Sequence, residues 1–361
     1  TIFIITFNRP QFVNLILNYL IKRNFNCDVV IVDGSDKQHK EENLKIIRHF
    51  KSIYKNNIKY KFSEKQLKSI CSLARKVKTK YCLLSYDDDL PGKEFIDESI
   101  NFLKNNKNYV TTNGSMATSN IKFKNKKFKI SNFKYSDIKI SNIYDNKVEK
   151  RYLNFNYQEG FAYGLYRKSD FVKIFNIVEC FCRVINDPIK KIEHAVSHKL
   201  MTITFATYNL LKGNIKSSKK LMMTRLNHQL DQTSSIDYYE KLGGMHINDF
   251  YNNNNYYNEI LSDQLSKYFK NITKKSILNL IYLHIYMRAS NMLPRYFYHV
   301  HKSINYKPFT FKEKIQILKN FPHYIYFRIL RIIKKINFFK SLVFFRVNKE
   351  EIKSIKKFGK Y

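Results

Sequence analysis

The sequence predicts an α/β protein in which a mostly parallel sheet is flanked by helices and followed by a mainly helical C-terminal region. Short apolar runs alternate with longer segments of helical periodicity through the first hundred residues, which is typical of βαβ units. The apolar runs show no alternation with polar residues, as expected of strands covered on both faces. From about residue 240 onward the pattern is helical. We therefore predict one domain over 1–238 and a helical region over 239–361.

Each of the first four predicted strands is a short apolar run that is rich in β-branched or aromatic residues. They are Ile2–Ile5, Val29–Val32, Ile58–Tyr60 and Tyr81–Tyr86. Helical spacing predicts the intervening and following helices from Pro10, over 39–55, over 64–78 and over 93–104. In such sheets the ligand crevice lies at the carboxyl ends of the strands, so polar residues at those ends are the candidates for function.

The middle of the chain carries weaker signals. The stretch 114–157 is polar and rich in Lys, Tyr and Asn, and it predicts hairpins or an insertion outside the core. Gly160–Arg167 is predicted as a buried strand, with a helix from Ser169. A further helix over 188–199 and a short strand at Leu221–Arg225 complete the domain.

Composition limits the classes of protein and partner. The 361 residues contain 65 Lys and Arg against 29 Asp and Glu, a net charge of +36, while a hydrophobic content of 44% argues against disorder. The charge indicates an anionic partner, namely nucleic acid, a membrane surface or phosphorylated substrates, or else a drift in composition. Five scattered cysteines form no disulfide or zinc pattern, which favours a reducing, cytoplasmic compartment.

Acidic and polar residues follow three of the predicted strands, namely Asn8, Asp33–Asp36 and Asp87–Asp89. Three adjacent aspartates at a buried strand end are costly unless a cation lies against them. Carboxylate oxygens are the ligands that Mg²⁺ and Mn²⁺ prefer, and in an extended chain Asp87 and Asp89 point the same way. The alternative is a solvated turn in which Asp89 caps the next helix.

Three segments together resemble a known family. They are Thr6–Pro10, Val30–Ser35 and Tyr86–Asp89, and they are similar to the nucleotide-sugar half of GT-A-fold glycosyltransferases, most of all family 2 of the bacterial surface-glycan type. The resemblance covers about 1–115 well and 160–235 more loosely. It implies a nucleotide-sugar half over 1–115 and an acceptor half over 116–238.

The resemblance implies roles for individual residues. Thr6, Phe7, Asn8, Arg9 and Asp33 would contact the base and ribose of a nucleoside-diphosphate sugar, Asp33 through its carboxylate. Asp87 or Asp88 would face the sugar ring or ribose. Asp89 would be the main ligand of Mn²⁺ or Mg²⁺, with Asp87 as the second carboxylate. Two features depart from the family pattern: Val32 precedes Asp33 where many relatives have a second acidic residue, and Ser69–Arg75 replaces the usual Asn-Gly segment.

Direct attack by an acceptor hydroxyl inverts the anomeric centre and requires a carboxylate that takes the hydroxyl proton. Relatives place this residue at a helix start beyond the strand equivalent to Gly160–Arg167. Glu193 lies nearest that place, Asp187 is a second candidate that helix capping alone would explain, and Glu159 is a more distant third. A retaining mechanism is the alternative.

The segment Thr224–His228 resembles the stretch, with an arginine and a following histidine, that closes the active site in many relatives. By that resemblance His228 would bind the metal or the diphosphate, and Arg225 would pair with phosphate. His194 and His198 share a helix face at i, i+4, but the zincin order is missing, so a metal role for that pair is not favoured.

The carboxyl end is basic and amphipathic. Residues 311–361 contain 14 Lys and Arg against three Glu, and apolar residues recur at helical spacing over 325–343. A basic amphipathic helix with aromatic residues is typical of binding to an anionic membrane surface, although packing on the domain or homo-oligomerisation would use the same stripe.

The expected function is therefore metal-dependent transfer of a sugar from a nucleoside-diphosphate donor to a glycan or lipid-linked acceptor, with inversion, at the inner face of the cytoplasmic membrane. The alternatives are a basic nucleic-acid-binding protein without catalytic activity and a retaining transferase on the same fold. No recognised nucleic-acid motif is present, so a nucleic-acid partner is not expected. Nucleotidyl transfer is disfavoured because the amino-terminal loop is not glycine-rich.

Overall fold

The computed structural model describes residues 1–124, 127–136, 142–148, 151, 159–184, 190–228, 254–278, 280–281 and 346–359. Asp187 and the predicted amphipathic stripe over 325–343 lie outside the described residues. For Glu159 and Glu193 the description covers the backbone.

The strands, numbered in chain order, are β1 (Ile2–Thr6), β2 (Val29–Asp33), β3 (Ile58–Phe62), β4 (Tyr81–Tyr86), β5 (Asp89–Pro91), β6 (Tyr109–Lys124), β7 (Lys127–Ser136), β8 (Leu165–Arg167) and β9 (Asn214–Asn227). The helices are α1 (Pro10–Lys22), α2 (Lys37–Ile53), α3 (Gln66–Lys76), α4 (Lys93–Asn105), α5 (Lys168–Val184), α6 (Lys190–Lys212), α7 (Asn254–Ser266) and α8 (Lys349–Phe358).

In the described part of the chain the strands form one sheet of order β3-β2-β1-β4-β8-β6-β9-β5, with β7 paired to β6. The first four strands are parallel to one another. In contrast, β8 pairs antiparallel with β4 and β6, and β5 pairs antiparallel with β9. This mixed, helix-flanked sheet confirms the predicted α/β class.

The two faces of the sheet explain why its amino-terminal strands are apolar throughout. Successive side chains point to opposite faces, so Phe3 and Ile5 join one core cluster while Ile2 and Ile4 join the other. Helices α3 and α5 cover the first cluster, and α1 and α2 cover the second. Both faces of β1 and β2 are therefore buried, which places their polar residues at the strand ends.

The middle of the chain differs from the prediction in two places. A hairpin does form there, from β6 and β7, but its residues Met116, Ala117, Ile121 and Ile130 are buried in the core. The expectation that 114–157 lies outside the core is wrong for this hairpin, because Ile121 and Phe123 pack into the core while Lys122 between them is exposed. The predicted strand Gly160–Arg167 is instead a short 3₁₀ helix, Glu159–Tyr163, followed by the three residues of β8.

The turn after β4 also differs from the alternative interpretation of the acidic triplet. Asp89 does not cap a helix, because α4 begins at Lys93 and its N-cap is Gly92. Asp89 instead opens β5, whose residues pair with Arg225, Thr224 and Met223 of β9. The acidic triplet is thus held between two strands. Among the described residues, we find no helix with the length and apolar character needed to cross a membrane.

Candidate active site

Asp87 is the innermost residue of the acidic triplet, and its side chain is fully buried. The Thr6 hydroxyl, at the end of β1, donates to its Oδ2 over 2.5 Å, and Arg9 Nη2 lies 2.6 Å from its Oδ1. The backbone N–H of Asp87 donates to the carbonyl of Ile5. The parallel pairing of β1 and β4 therefore brings Thr6, Arg9 and Asp87 together, three residues that the sequence assigned to one site.

Asp88 joins the triplet to the end of β9. Its Oδ2 lies 3.1 Å from Arg9 Nη1 and 3.3 Å from His228 Nε2. The His228 ring packs against Phe12 of α1, with ring centroids 4.5 Å apart. Arg9 and His228 thus meet at one carboxylate, while binding of a metal or diphosphate by His228 stays a prediction.

Asp89 is buried and faces a different arginine. Arg225, its direct partner in the β5–β9 register, places Nε 3.4 Å from Asp89 Oδ1 and donates from Nη2 to the Tyr163 hydroxyl over 2.7 Å. Tyr163 is a site residue that sequence reasoning missed, because it stood in an apolar run that was interpreted as a strand. The available signal was the phenol itself, since a buried tyrosine hydroxyl needs a polar partner.

The three carboxyl groups differ in acidity because their surroundings differ. Burial raises the pKa of Asp87 to about 8 against the opposing charge of Arg9. Burial likewise raises the pKa of Asp89 to about 6 against the charge of Arg225. Burial acts in the same direction on Asp88, but its hydrogen bond with His228 and the charge of Arg9 outweigh it and lower the pKa of that carboxyl. Asp88 is therefore the carboxylate that stays ionised most readily.

Asp33, predicted to contact the donor, is buried and has internal partners at both oxygens. The Ser35 N–H donates to Oδ1 over 2.8 Å, while Asn43 Nδ2 and the Tyr60 hydroxyl donate to Oδ2 over 2.9 and 2.8 Å. Asn43 and Tyr60 were missed by sequence reasoning because nothing in a helical or strand pattern marks them. A contact between Asp33 and a donor stays a prediction.

The loops after β1 and β2 are tied to each other. Asn8 adopts a left-handed backbone conformation, with φ of 55°, which asparagine tolerates better than most residues. Its N–H donates to Ser35 Oγ over 2.7 Å, and its Oδ1 accepts from the Asp36 N–H over 2.9 Å. The adjacent Phe7 leaves 43% of its surface exposed.

The predicted metal ligands have different partners in this structure. Among the described residues no three carboxylate, imidazole or thiol side chains are grouped so that they would hold a metal ion. A shared ion on Asp89, Asp87 and His228 stays a prediction. In this structure Asp87 and Asp89 face different arginines and His228 contacts Asp88. Arg9 and Arg225 supply positive charge to Asp87 and Asp89 here.

One donor pair still fits the chemistry of a divalent ion. Asp88 Oδ2 and His228 Nε2 lie 3.3 Å apart at the edge of the crevice. A carboxylate and an imidazole suit Mn²⁺, and so small a ligand set leaves positions for phosphate oxygens and water.

For the candidate catalytic bases, the structure describes at most the backbone. Glu193 lies in the first turns of α6, the helix that follows α5, and this helix is where the resemblance located the base. His194 and His198 belong to the same helix. Asp187 lies outside the described residues, and Glu159 opens the short 3₁₀ helix that carries Tyr163. The choice between Glu193, Asp187 and Glu159 stays a prediction.

The sheet order, the flanking helices and the acidic turn after β4 define the GT-A fold, which confirms the fold expected from the sequence. A crystal structure of residues 1–349 of S. aureus TarS is similar over 82% of this chain and 73% of that one, with a TM-score of 0.50 and 16% identity. At that identity the likeness establishes the fold.

Two further structures are similar at lower scores. A longer crystal structure of S. aureus TarS matches 74% of this chain but only 43% of its own length, with a TM-score of 0.42 and 17% identity. The mannosyltransferase PcManGT from Pyrobaculum calidifontis, in complex with GDP-Man and Mn²⁺, matches 81% of this chain and 71% of its own, with a TM-score of 0.40 and 8% identity. No protein-family model and no curated protein sequence matches the chain.

The raised pKa of Asp89 predicts how stability depends on pH in the metal-free protein. Its folded pKa of about 6 lies above the ordinary value of 3.8, so folding favours the protonated form. That stabilisation is complete below the ordinary value and is lost as pH rises through about 6. We expect the free energy of unfolding in urea, with a chelator present, to fall less steeply between about pH 4 and 7 in Asp89→Asn than in the parent.

Asp97→Asn is the matched control, because Asp97 is exposed and pairs only with Lys93 on the surface of α4. This variant should keep the parent slope. An Asp89→Asn variant with the parent slope would contradict the assigned environment of Asp89.

Proposed function

We propose that the protein is a glycosyltransferase that moves a sugar from a nucleoside-diphosphate donor to a glycan or lipid-linked acceptor. The observation that carries the proposal is the turn Asp87–Asp89 at the carboxyl end of β4, where it meets Arg9, Arg225 and His228. Negative and positive groups alternate within a few ångströms there. Such a site can bind a phosphate group and stabilise the charge that develops on it.

The charged residues would have separate roles in donor binding. Arg9 and Arg225 lie where they could exchange a carboxylate for a phosphate oxygen, and guanidinium groups pair with phosphate bidentately. Asp88 and His228 would hold a divalent ion. When bound, Mn²⁺ or Mg²⁺ would neutralise the departing diphosphate. Phe7, which is partly exposed, and the linked loops at Asn8 and Asp36 are candidates for contact with the base and ribose.

Transfer with inversion needs one further carboxylate on the acceptor side. Glu193 is the first candidate and Asp187 the second, as the family resemblance suggests. The base takes the hydroxyl proton as the acceptor oxygen attacks the anomeric carbon and the bond to the diphosphate breaks. A retaining mechanism on the same fold would need no such base.

Donor binding is tested with a panel of nucleoside-diphosphate sugars and thermal unfolding, with and without Mn²⁺. We expect one donor to raise the melting temperature by about 3 °C or more in the presence of Mn²⁺, since saturating ligand stabilises only the folded state. Asp88→Asn should lose the metal-dependent part, whereas the surface variant Asp97→Asn should keep it. If no donor produces a metal-dependent shift, the proposal fails.

The base is tested by comparing Glu193→Gln with Asp187→Asn. The variant that removes the base should bind donor like the parent and lose about 10²- to 10⁴-fold in kcat, because general-base assistance contributes on that order. The other variant should transfer sugar nearly normally. Normal transfer by both variants would move the base to Glu159 or favour the retaining mechanism.

We also propose that the protein associates with the inner face of the cytoplasmic membrane through its basic carboxyl end. Residues 311–361 carry a large excess of Lys and Arg, and α8, the described helix of that region, exposes Lys353, Lys356 and Lys357. Lysines at a surface are attracted to anionic phospholipids, and salt screens that attraction. Homo-oligomerisation through the same region is the competing proposal.

Co-sedimentation tests the membrane proposal. We expect the full chain to pellet with phosphatidylglycerol-containing vesicles at low salt, to be released at about 0.5 M salt because of screening, and to ignore neutral phosphatidylcholine vesicles. No binding to anionic vesicles at low salt would refute it, and a concentration-dependent mass in solution would favour oligomerisation instead.

A further inference from the structure

Helix α8 lies far along the chain from the acidic triplet, yet it packs near the end of β5, the strand that Asp89 begins. Its apolar residues Ile352, Ile355 and Phe358 are buried in the core cluster that contains Tyr19 of α1. The Phe358 and Tyr19 rings meet edge to face with centroids 5.3 Å apart. The backbone N–H of Ile130, on β7, donates to the carbonyl of Gly359 just beyond the helix. The last described helix is therefore an integral part of the domain.

Glu351 is the unusual residue of this helix, because it is a carboxylate with only 1% of its side chain exposed. Its Oε2 pairs with Arg23 Nη2 over 2.5 Å, and Arg23 also donates to Ser354. Its Oε1 lies 3.4 Å from the N–H of Lys93, the first residue of α4. The N-cap of α4 is Gly92, which has no side chain to cap it, so Glu351 supplies a negative charge at that helix start.

A second contact links Glu351 to β5. The Tyr19 hydroxyl donates to the carbonyl of Pro91 over 2.9 Å, and its oxygen lies 3.4 Å from Glu351 Oε1. Burial, and after it the charge of Glu351, raise the pKa of this phenol, which keeps it a donor. Pro91 ends the short strand that Asp89 begins. Glu351 is therefore connected to Asp89 through the Tyr19 hydroxyl and the three residues of β5.

Asn348 makes the corresponding contact with β9. Its side-chain oxygen accepts from the N–H of Leu221 over 2.6 Å, and its Nδ2 donates to the carbonyl of Lys219 over 3.0 Å. The neighbouring Gly92 lies so close to β9 that an added Cβ would stand 1.7 Å from the Leu221 carbonyl oxygen. Both strands of the β5–β9 pair are thus held from behind at the end opposite Asp89 and Arg225.

We infer that Glu351 and Asn348 are positioning residues for Asp89 and Arg225, so that the C-terminal helix maintains the register of the site from behind. β5 has three residues and, among the described strands, pairs with β9 alone. Few backbone hydrogen bonds therefore fix its position. A slip in that pair would move Asp89 and Arg225 relative to Asp88 and His228. The expected effect on kinetics rests on the proposed function. The expected effect on the stability of the β5–β9 pair rests on the contacts alone.

Hydrogen exchange tests the structural consequence without any substrate. In Glu351→Gln and in Asn348→Ala we expect the N–H groups of Gly92 and Leu226, which donate to Met222 and Asp88, to exchange at least about tenfold faster. The N–H groups of Gly34 and Asp87, which donate to β1, should be unchanged. Glu350→Gln is the matched control, because Glu350 precedes Glu351 in α8 and is exposed.

Steady-state kinetics test the consequence for the site. Both variants should raise the KM for the donor at least about fivefold and leave the KM for the acceptor within about twofold. A merely structural role would lower kcat through a smaller active fraction and leave both KM values alone, which would overturn the inference. Unchanged hydrogen exchange at Gly92 and Leu226 would also overturn the inference. The same holds if exchange becomes equally faster at Gly34 and Asp87. Should the parent show no transfer with any donor, the proposed function fails and the exchange result alone decides the inference.

Discussion

The arrangement of charge around Asp87–Asp89 is the constraint on which the rest of the site depends. Carboxylates that are buried side by side repel each other and lose hydration, so the fold must supply positive partners at close range. Arg9 comes from the loop after β1, and Arg225 comes from β9. Because these partners lie on different strands, neutralising the triplet requires the central and the distal parts of the sheet to assemble together.

The sheet meets this requirement through its connections. Parallel pairing of β1, β2 and β4 brings their carboxyl ends to one edge, where the Thr6, Asp33 and Asp87 side chains follow one another. The antiparallel pair of β5 and β9 then carries Arg225 back against Asp89. A site of mixed charge results, in which each carboxyl group has a different acidity because each has a different partner.

Prediction from sequence succeeded where local pattern decides structure. The apolar runs of β1, β2 and β4 and the helices between them were found because strands buried on both faces and amphipathic helices leave plain periodicities. It found only part of β6 and β9, because their many lysines and serines disguise strands that are buried in places. The predicted strand Leu221–Arg225 lies within the longer β9. It also missed Tyr163, Asn43 and Tyr60, because their roles come from contacts across the chain and leave no local trace.

What the sequence by itself determined is the class of fold and the edge of the sheet at which the acidic residues gather, since strand periodicity and acidic residues after strands are local properties. Which carboxylate meets which partner was decided only by the tertiary structure. Asp87 and Asp89 pair with separate arginines, and His228 pairs with Asp88. A buried glutamate near the carboxyl end was found behind β5. The physical reason is that charge acts through space over a few ångströms, whereas Glu351 and Arg23 are separated by more than three hundred residues of chain.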